Sequence, residues 1–293
     1  MQDRSMKQVM ITGADGQLGK ALLELVPDGY TTLPANRATL DITSDSAVRQ
    51  WCNDNKPSAI INAAAYTAVD KAESDTELAS LVNEQGAGNL ARAAAEHDIP
   101  IVQVSTDFIF NGRKGSPYLP EDSADPLSIY GATKLGGEQL VLAEAASRAT
   151  IIRTAWVYNE SGSNFVTTML RLMAERDSLS VVADQVGTPT NVNGLADACW
   201  NCLAKEVRGI HHWTDAGVAS WYDFAHIIQQ TALDLGLLNR EIPVLPIPAS
   251  QYPTPAVRPT MSVLDKTSTW AALQCEPIHW QVQLRTALEK LVR

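Results

Sequence analysis

Segments typical of β-strands and of α-helices alternate along the first half of the chain. Five apolar segments, QVMIT, TTLPANR, PSAIINAAAYT, IPIVQVST and RATIIRTAWVY, are separated by helical patterns about a dozen residues long. This alternation predicts an α/β fold, a Rossmann-like doubly wound parallel sheet with helices on both faces. We place a nucleotide-binding domain at 1–155, with returns around 181–215, and a small C-terminal α/β region, mostly substrate-binding, at 156–293.

Composition and charge exclude several classes of protein. The 293 residues are 45% hydrophobic and 19% charged, as in an ordinary globular protein. The net charge of −10 argues against a nucleic-acid-binding surface, which needs clustered Lys and Arg. The sequence contains no run of about 18 apolar residues, so no membrane span is predicted. The first residues, MQDRSMKQVMIT, lack the pattern of a signal peptide, so we expect a cytoplasmic protein.

A glycine-rich turn, TGADGQLG, connects the first predicted strand to the first helix. Gly13 suits the tight turn, Gly16 lets the backbone approach a pyrophosphate, and Gly19 allows close packing of helix on strand. Gln17 and Leu18 open the helix, whose free N–H groups can bind phosphate. The pattern predicts a dinucleotide site; the alternative is a turn that is merely tight.

The prediction of the cofactor depends on the end of the second strand, which meets the adenosine ribose in dinucleotide-binding folds. The sequence PANR places Asn36 and Arg37 there, with no acidic residue. A guanidinium can pair with a 2′-phosphate, so we predict NADPH as the cofactor, with NADH as a second one that the chain could accept. The alternative for Arg37 is a solvated loop arginine.

Tyr130 and Lys134, in YGATK, share one helical face because they are four residues apart. An ammonium group beside a phenol lowers the pKa of the phenol, which then exchanges a proton more readily near neutral pH. Thr106, at the end of the strand IPIVQVST, can orient a substrate oxygen. We therefore predict hydride transfer at a carbonyl, with Tyr130 protonating its oxygen. Alone, the Tyr-x-x-x-Lys pattern occurs on many helices by chance.

These motifs, in this order, resemble the extended short-chain dehydrogenase/reductases, and within them the dTDP-4-dehydrorhamnose reductases. The resemblance covers most of the chain and includes INAAAYTAVDKAE, VSTDFIFNG, DQVGTPT and YPTPAVRP. It implies NADPH-dependent reduction of the 4-keto group of dTDP-4-dehydro-L-rhamnose, a step of dTDP-L-rhamnose synthesis for surface polysaccharide. It implies a small-molecule dTDP-sugar as partner and leaves a homodimer open.

The resemblance also assigns roles to individual residues. Thr106, Tyr130 and Lys134 fall on the catalytic positions of the family, and Tyr130 and Lys134 also contact the cofactor. Asn83 matches an asparagine that helps to organise the proton path. The remaining cofactor contacts lie beside the adenine and over the dinucleotide, at Asp41, Ile42, Ala63, Ala64, Ala65 and Tyr66.

The substrate side of the site rests on fewer signals. Thr106 and Asp107 are expected at the sugar, Arg258 at the diphosphate and Trp156 against the sugar ring. The alternatives are a surface arginine and a core tryptophan. Phe108 stands where the family often has tyrosine, which removes a hydroxyl from this region.

The sequence offers two places where metal or redox chemistry could be considered, Asn193 and a cysteine pair. We predict no protein-held metal site, and magnesium binding is left open, because Asn193 stands where some members of the family have a glutamate ligand. Cys199 and Cys202 have C-x-x-C spacing but share a helical face with Leu195 and Leu203, which favours buried core thiols over a zinc or redox site.

Two other functions stay open from the sequence. The chain could be a reductase or epimerase that acts on another nucleotide sugar. It could also be a regulatory subunit that binds NADP without turning it over. The Thr106, Tyr130 and Lys134 set favours an enzyme, because a pure binder does not need a tuned phenol.

Overall fold

The structure is a computed structural model that describes residues 6–292. Its strands are β1 Lys7–Thr12, β2 Tyr30–Ala35, β3 Ala59–Asn62, β4 Ile101–Thr106, β5 Ala149–Thr154, β6 Val157–Tyr158, β7 Leu179–Val182, β8 Val186–Gly187, β9 Thr190–Asn191, β10 Gly209–His212, β11 Ala219–Ser220 and β12 Val244–Ile247. Its α-helices are α1 Gln17–Glu24, α2 Asp45–Asn55, α3 Val69–Ala72, α4 Thr76–Ser80, α5 Ala87–Glu96, α6 Ile129–Ala145, α7 Phe165–Glu175, α8 Val192–Ala204, α9 Trp221–Asp234, α10 Thr267–Leu273 and α11 Trp280–Glu289.

A six-stranded sheet in the order β10-β5-β4-β3-β1-β2 forms the centre of the fold. Every neighbouring pair in this sheet is parallel. Strands β3 and β5 are buried along their whole length, as expected for strands covered on both faces. The order in which the strands are added to the sheet reverses between β1 and β3. Ligands bind at this switch point in such folds. The predicted α/β class and doubly wound sheet are confirmed.

Helices cover both faces of the sheet and bury a separate apolar cluster on each. On one face α2, α5 and α6 contribute Val48, Leu90 and Val141. On the other, α1 and α8 meet, and Trp200 donates from its indole nitrogen to the carbonyl oxygen of Leu22 at 3.1 Å.

The two cysteines of the C-x-x-C pair lie inside the second of these clusters. Cys199 and Cys202 are both fully buried in α8. Burial raises the pKa of the Cys202 thiol to about 12 and raises that of Cys199 as well. Buried thiols of this kind are unreactive, so the prediction of core cysteines is confirmed.

A third apolar cluster joins α7, α9 and α11, with Phe224 and Trp280 at its centre. Ser220 begins α9 with a capping box, because its hydroxyl accepts from Asp223 N and the Asp223 carboxylate accepts from Ser220 N. The proline-rich segment pairs β12 with β7 and then makes a short 3₁₀ turn at Ala249–Gln251. Between these parts the chain returns to the central sheet through α8 and β10, while the exact domain division stays a prediction.

No helix within residues 6–292 is both long and apolar enough to cross a membrane.

Candidate functional site

A cavity of about 790 Å³ opens at the carboxyl ends of the parallel strands. It begins at the turn after β1, crosses the end of β3 and continues to the ends of β4 and β5. Most of the predicted cofactor residues line it, namely Gly13, Gly16, Gln17, Leu18, Asn36, Arg37, Asp41, Ile42, Ala63, Ala64, Ala65, Tyr66, Tyr130 and Lys134. The structure therefore brings together residues that are spread over more than a hundred positions of the sequence.

Two glycines make the turn at the start of the cavity possible. Gly13 has φ of +64°, and a Cβ there would lie 2.7 Å from the backbone nitrogen of Ala64. Gly19 does not line the cavity, and a Cβ at Gly19 would come within 2.2 Å of the Gly13 carbonyl oxygen. Because these positions exclude a side chain, the first turn of α1 can pack against the strand end and present its N–H groups to the cavity.

The end of the cavity next to β2 is built by the turn after that strand. Asn36 holds this turn, because its Oδ1 accepts from the backbone nitrogens of Ala38 and Thr39 at 3.0 and 3.1 Å. Arg37 is exposed beside it. Hydrogen bonds from Thr43, aided by the charge of Arg37, lower the pKa of Asp41. Arg37 and Asp41 thus place a guanidinium and a carboxylate at this end of the cavity.

The side chain of Asn83 connects two segments of the chain beside the cavity. It lies in a π-helical turn, Leu81–Gly86, between α4 and α5. Its Oδ1 accepts from Tyr66 N at 2.8 Å, and its Nδ2 lies 3.1 Å from Tyr66 O and 3.2 Å from Thr133 Oγ1. Asn83 therefore ties the segment after β3 to the helix that carries Tyr130 and does not itself line the cavity.

Helix α6 carries Tyr130 and Lys134 into the far end of the cavity. Ser128 caps the helix by accepting from Gly131 N at 3.2 Å, so Tyr130 lies in its first turn. Lys134 is only 4% exposed and donates from Nζ to the carbonyl oxygen of Val104 at 2.7 Å. The Phe108 ring contacts Tyr130 edge-on, with centroids 5.5 Å apart.

The pKa values at this end differ from the expectation drawn from the sequence. Burial raises the pKa of Tyr130 to about 12, although a hydrogen bond with Thr106 acts in the opposite direction. Burial also lowers the pKa of Lys134 to about 8. The expected lowering of the phenol pKa by the ammonium is therefore wrong for this structure, because desolvation of the phenolate raises that pKa and Lys134 is not among the groups that shift it. Tyr130 keeps its proton at neutral pH.

Thr106 and Asp107 lie at the end of β4, beneath Tyr130. Thr106 Oγ1 donates to Asp107 Oδ1 at 3.1 Å and accepts from Phe108 N at 3.2 Å. Both side chains are buried, Thr106 at 5% exposure and Asp107 at 2%. Neither lines the cavity. A hydrogen bond joins Thr106 to the Tyr130 phenol, which lines the cavity, and Asp107 lies one step further from it.

Trp156 and Arg258, predicted on the substrate side, both lie outside the lining of this cavity. Trp156 stacks on Trp221 with ring centroids 3.6 Å apart. Arg258 makes a two-pronged ion pair with Asp70, at 2.9 and 2.8 Å. This pair links the proline-rich segment to the short helix α3, which follows β3.

A ladder of polar side chains beneath the cavity was not predicted from the sequence. Thr12 Oγ1 donates to Asn62 Oδ1 at 2.5 Å, and Asn62 Nδ2 donates to Gln103 Oε1 at 2.6 Å. Gln103 Nε2 then donates to the Val104 carbonyl oxygen, which also accepts from Lys134. The ladder crosses β1, β3 and β4 and ends at the lysine. A polar residue within each of these three strands was the available signal, at the last position of β1 and β3 and in the middle of β4.

Two buried hydroxyls at the same end of the cavity have no hydrogen-bond partner. Ser105 Oγ and Thr154 Oγ1 line it at the ends of β4 and β5. Buried polar groups are normally paired, so these two suit a ligand with polar substituents. Together with the glycine turn, they fit a dinucleotide. Among residues 6–292, no cluster of three or more His, Cys, Asp or Glu side chains is arranged to hold a metal ion.

The parallel sheet, the glycine turn at its switch point and the Tyr-x-x-x-Lys pair in one cavity define an oxidoreductase of the short-chain dehydrogenase/reductase class. The sequence also matches the family described as RmlD substrate binding domain over residues 6–293. The chain belongs to this family, that of the dTDP-4-dehydrorhamnose reductases.

Individual relatives agree with this assignment. A dTDP-4-dehydrorhamnose reductase of Aggregatibacter actinomycetemcomitans is 41% identical over 288 residues, which cover 96% of this chain and 98% of the relative. A crystal structure of the Clostridium acetobutylicum dTDP-4-dehydrorhamnose reductase superposes with a TM-score of 0.92 at 38% identity, over 98% and 100% of the two chains. The Bacillus anthracis reductase, solved in complex with NADP, gives 0.91 at 36% identity, over 97% and 99%.

Proposed function

We propose that the protein reduces the 4-keto group of dTDP-4-dehydro-L-rhamnose to give dTDP-L-rhamnose, with NADPH as the reductant, for the synthesis of surface polysaccharide. The observation that carries this proposal is the single cavity with the glycine turn at one end and Tyr130 and Lys134 at the other. The full-length similarity to reductases of this name supports the choice of substrate.

The chain's own residues divide the work of the reaction. NADPH, when bound, supplies the hydride. Tyr130 donates its phenolic proton to the carbonyl oxygen as negative charge develops there, and its raised pKa keeps that proton in place beforehand. Lys134, held by the Val104 carbonyl, places a positive charge beside the phenolate that remains. Thr106 orients the substrate oxygen, and Asn83 fixes the segment that covers the cofactor.

The dTDP portion requires contacts beyond this cavity. We assign Arg258 to the diphosphate, because its guanidinium is partly exposed and Asp70 already fixes its plane. We assign Trp156 to packing against the sugar, and its stacking on Trp221 gives the indole a fixed orientation.

Replacing Arg37 with Ala should lower kcat/KM for NADPH about tenfold and leave kcat/KM for NADH nearly unchanged. The expected size is that of one lost charge-assisted hydrogen bond to a phosphate. Initial rates with each cofactor measure the ratio. The matched control is Arg171→Ala, which removes an exposed guanidinium from α7 and should leave both values as they are. An unchanged NADPH-to-NADH ratio in the Arg37 variant would remove Arg37 from the cofactor site.

The function itself is tested by NADPH oxidation with freshly prepared dTDP-4-dehydrorhamnose, followed by identification of the sugar nucleotide formed. The proposal expects stoichiometric formation of dTDP-L-rhamnose. Turnover of a different nucleotide sugar, with none of this one, would instead establish a related reductase or epimerase. Binding of NADPH without turnover of any nucleotide sugar would establish a regulatory binding protein.

We also propose that the reaction takes place in the cytoplasm and that the enzyme forms a homodimer. Cell fractionation tests the first statement, and sedimentation equilibrium of the purified chain, of 31.7 kDa, tests the second. A monomer at all concentrations used in the assay would contradict the dimer.

A further inference from the structure

A second cavity, of about 230 Å³, shares no lining residue with the first. One of its walls is a face of α8, and the others come from the residues that follow β10, from α10 and from α11. It is smaller than the cavities that hold drug-sized ligands, which are roughly 300–1,000 Å³, so it suits a ligand with a single ring. None of the residues assigned above to NADPH or to the dTDP-sugar lines it.

Three polar atoms converge on one region of this cavity, above Gly194 in the first turn of α8. Around the point where a Cβ on that glycine would stand, Trp213 Nε1 and Asp215 Oδ1 each lie at 3.7 Å and Gln283 Nε2 at 3.6 Å. The indole N–H of Trp213 is buried and has no hydrogen-bond partner among residues 6–292. Asp215 is 4% exposed, and its second oxygen, Oδ2, accepts from Asn191 N at 3.0 Å. Because buried polar groups are normally paired, the free indole N–H indicates a place for a ligand atom.

The hydrogen-bonding capacities of these three atoms match a hydroxyl group. The indole nitrogen and the amide nitrogen can only donate, and an ionised carboxylate can only accept. A hydroxyl has two lone pairs and one proton, so it can accept from both nitrogens and donate to Asp215. An ammonium group has no lone pair to offer the two nitrogens, and a phosphate or carboxylate group would place its negative charge against Asp215.

The rest of the lining suits a ring that carries several hydroxyls. The half-buried indoles of Trp213 and Trp270 offer flat apolar surfaces, on which the C–H face of a sugar can pack. Asp197 and Asn201, one turn apart on α8, stand with Glu276 at the exposed rim and can bond to further hydroxyls. The cavity thus combines aromatic faces with a few convergent polar groups, as a binding site for a small polar ring requires.

Charge distinguishes a neutral sugar from a phosphorylated or cationic ligand. Three carboxylates line the cavity and none of the described Lys, Arg or His side chains does, so a phosphate group would have no counter-charge there. A cation is disfavoured at the indole of Trp270, because Lys266 Nζ already lies 5.6 Å from the centre of that ring. The ligand that fits this lining is therefore uncharged.

We propose that this cavity is a second ligand site, which binds a neutral monosaccharide. One hydroxyl of the sugar bonds to Trp213, Asp215 and Gln283, and the C–H face of its ring packs on an indole. The site shares no residue with the reductase cavity, so the inference goes beyond the proposed function and does not depend on it.

The test is a titration of the ¹⁵N-labelled wild type with D-glucose, D-galactose and L-rhamnose, followed by NMR of the tryptophan indole N–H groups. The resonances of Trp213 and Trp270 are identified as those missing from Trp213→Phe and from Trp270→Phe. Both should shift saturably with at least one sugar, with a Kd on the order of 1 mM, as expected of a few hydrogen bonds and one ring face. The buffer is kept above pH 7, because burial raises the pKa of Asp215 to about 7 and its carboxylate must be ionised.

Gly194→Ala is the variant that blocks the site. Its methyl group stands 3.6 Å or more from each of the three polar atoms, an ordinary contact, and alanine suits a helix, so the fold is kept. The Kd for the sugar should rise at least about tenfold, because the methyl group takes the place of the hydroxyl. Trp213→Phe keeps a ring but lacks the N–H, and should raise the Kd about fivefold, as followed at Trp270. The matched control, Trp51→Phe, removes an indole N–H from α2 and should leave the Kd unchanged.

The proposal is overturned if none of the three sugars shifts the Trp213 resonance at about 100 mM, a hundred times the expected Kd. It is also overturned if a sugar binds Gly194→Ala as tightly as the wild type, or if inorganic phosphate or putrescine shifts this resonance and the sugars do not. Because the measurement uses no turnover, a failure of the reductase assay would leave its result intact.

Discussion

Replacing Tyr130 with Phe should lower kcat/KM for the reduction by roughly 10²- to 10⁴-fold, the usual contribution of a general acid. The variant keeps the ring, its edge-on contact with Phe108 and its place in α6, so only the phenolic hydroxyl is lost. NADPH should therefore still bind with nearly the wild-type Kd. Steady-state rates and a fluorescence titration with NADPH measure the two effects separately.

The control for this prediction is Tyr222→Phe, which removes a phenol from α9, away from the cavity, and should leave both values unchanged. Wild-type activity of Tyr130→Phe would contradict the assignment of Tyr130 as the acid. A loss of NADPH binding as large as the loss of rate would assign Tyr130 to the cofactor alone.

Glu138→Gln should lower the free energy of unfolding by roughly 3–5 kcal/mol, the cost of breaking a buried ion pair on one side. Arg153 reaches Glu138 through three hydrogen bonds of 2.8 to 3.1 Å. The two side chains are only 4% and 2% exposed. Removing the carboxylate leaves the guanidinium charged and unpaired in the interior, beside the buried ring of His212. Unfolding in urea measures the change.

Glu144→Gln is the matched control because Glu144 lies on the same helix and pairs with Arg92 near the surface, each about a third exposed. This exposed pair should contribute only about 0–1 kcal/mol. The double variant Glu138→Leu with Arg153→Met should recover much of the lost stability, because it removes both buried charges together. Equal losses in Glu138→Gln and Glu144→Gln would show that burial of the pair does not matter.

The sequence predicts those parts of the site that depend on local patterns. The glycine turn is recognisable because three glycines follow a strand and open a helix. At Gly13 and at Gly19 a Cβ would collide with neighbouring backbone atoms, so the structure requires glycine at both positions. Tyr130 and Lys134 are recognisable because helical spacing places them on one face. The core position of Cys199 and Cys202 follows from the apolar residues around them in the same helix.

Features that arise from tertiary packing could not be predicted in this way. Arg258 meets Asp70 across 188 positions of the chain, and nothing local in either segment indicates the pairing. The pKa of Tyr130 depends on how completely the folded chain removes water from the phenol, and the Tyr-x-x-x-Lys spacing carries no information about that. The burial of Asp107 likewise depends on tertiary packing and could not be predicted from the local sequence.

The late return of β10 to the central sheet has a consequence for biosynthesis. Strand β5 ends at Thr154, but its outer neighbour begins only at Gly209, after α7 and α8. While the ribosome is still translating the intervening residues, the unpaired N–H and C=O groups along that side of β5 can associate with other chains. Truncated or stalled nascent chains that end before Gly209 should therefore aggregate or recruit chaperones, and release past this point should let the domain close.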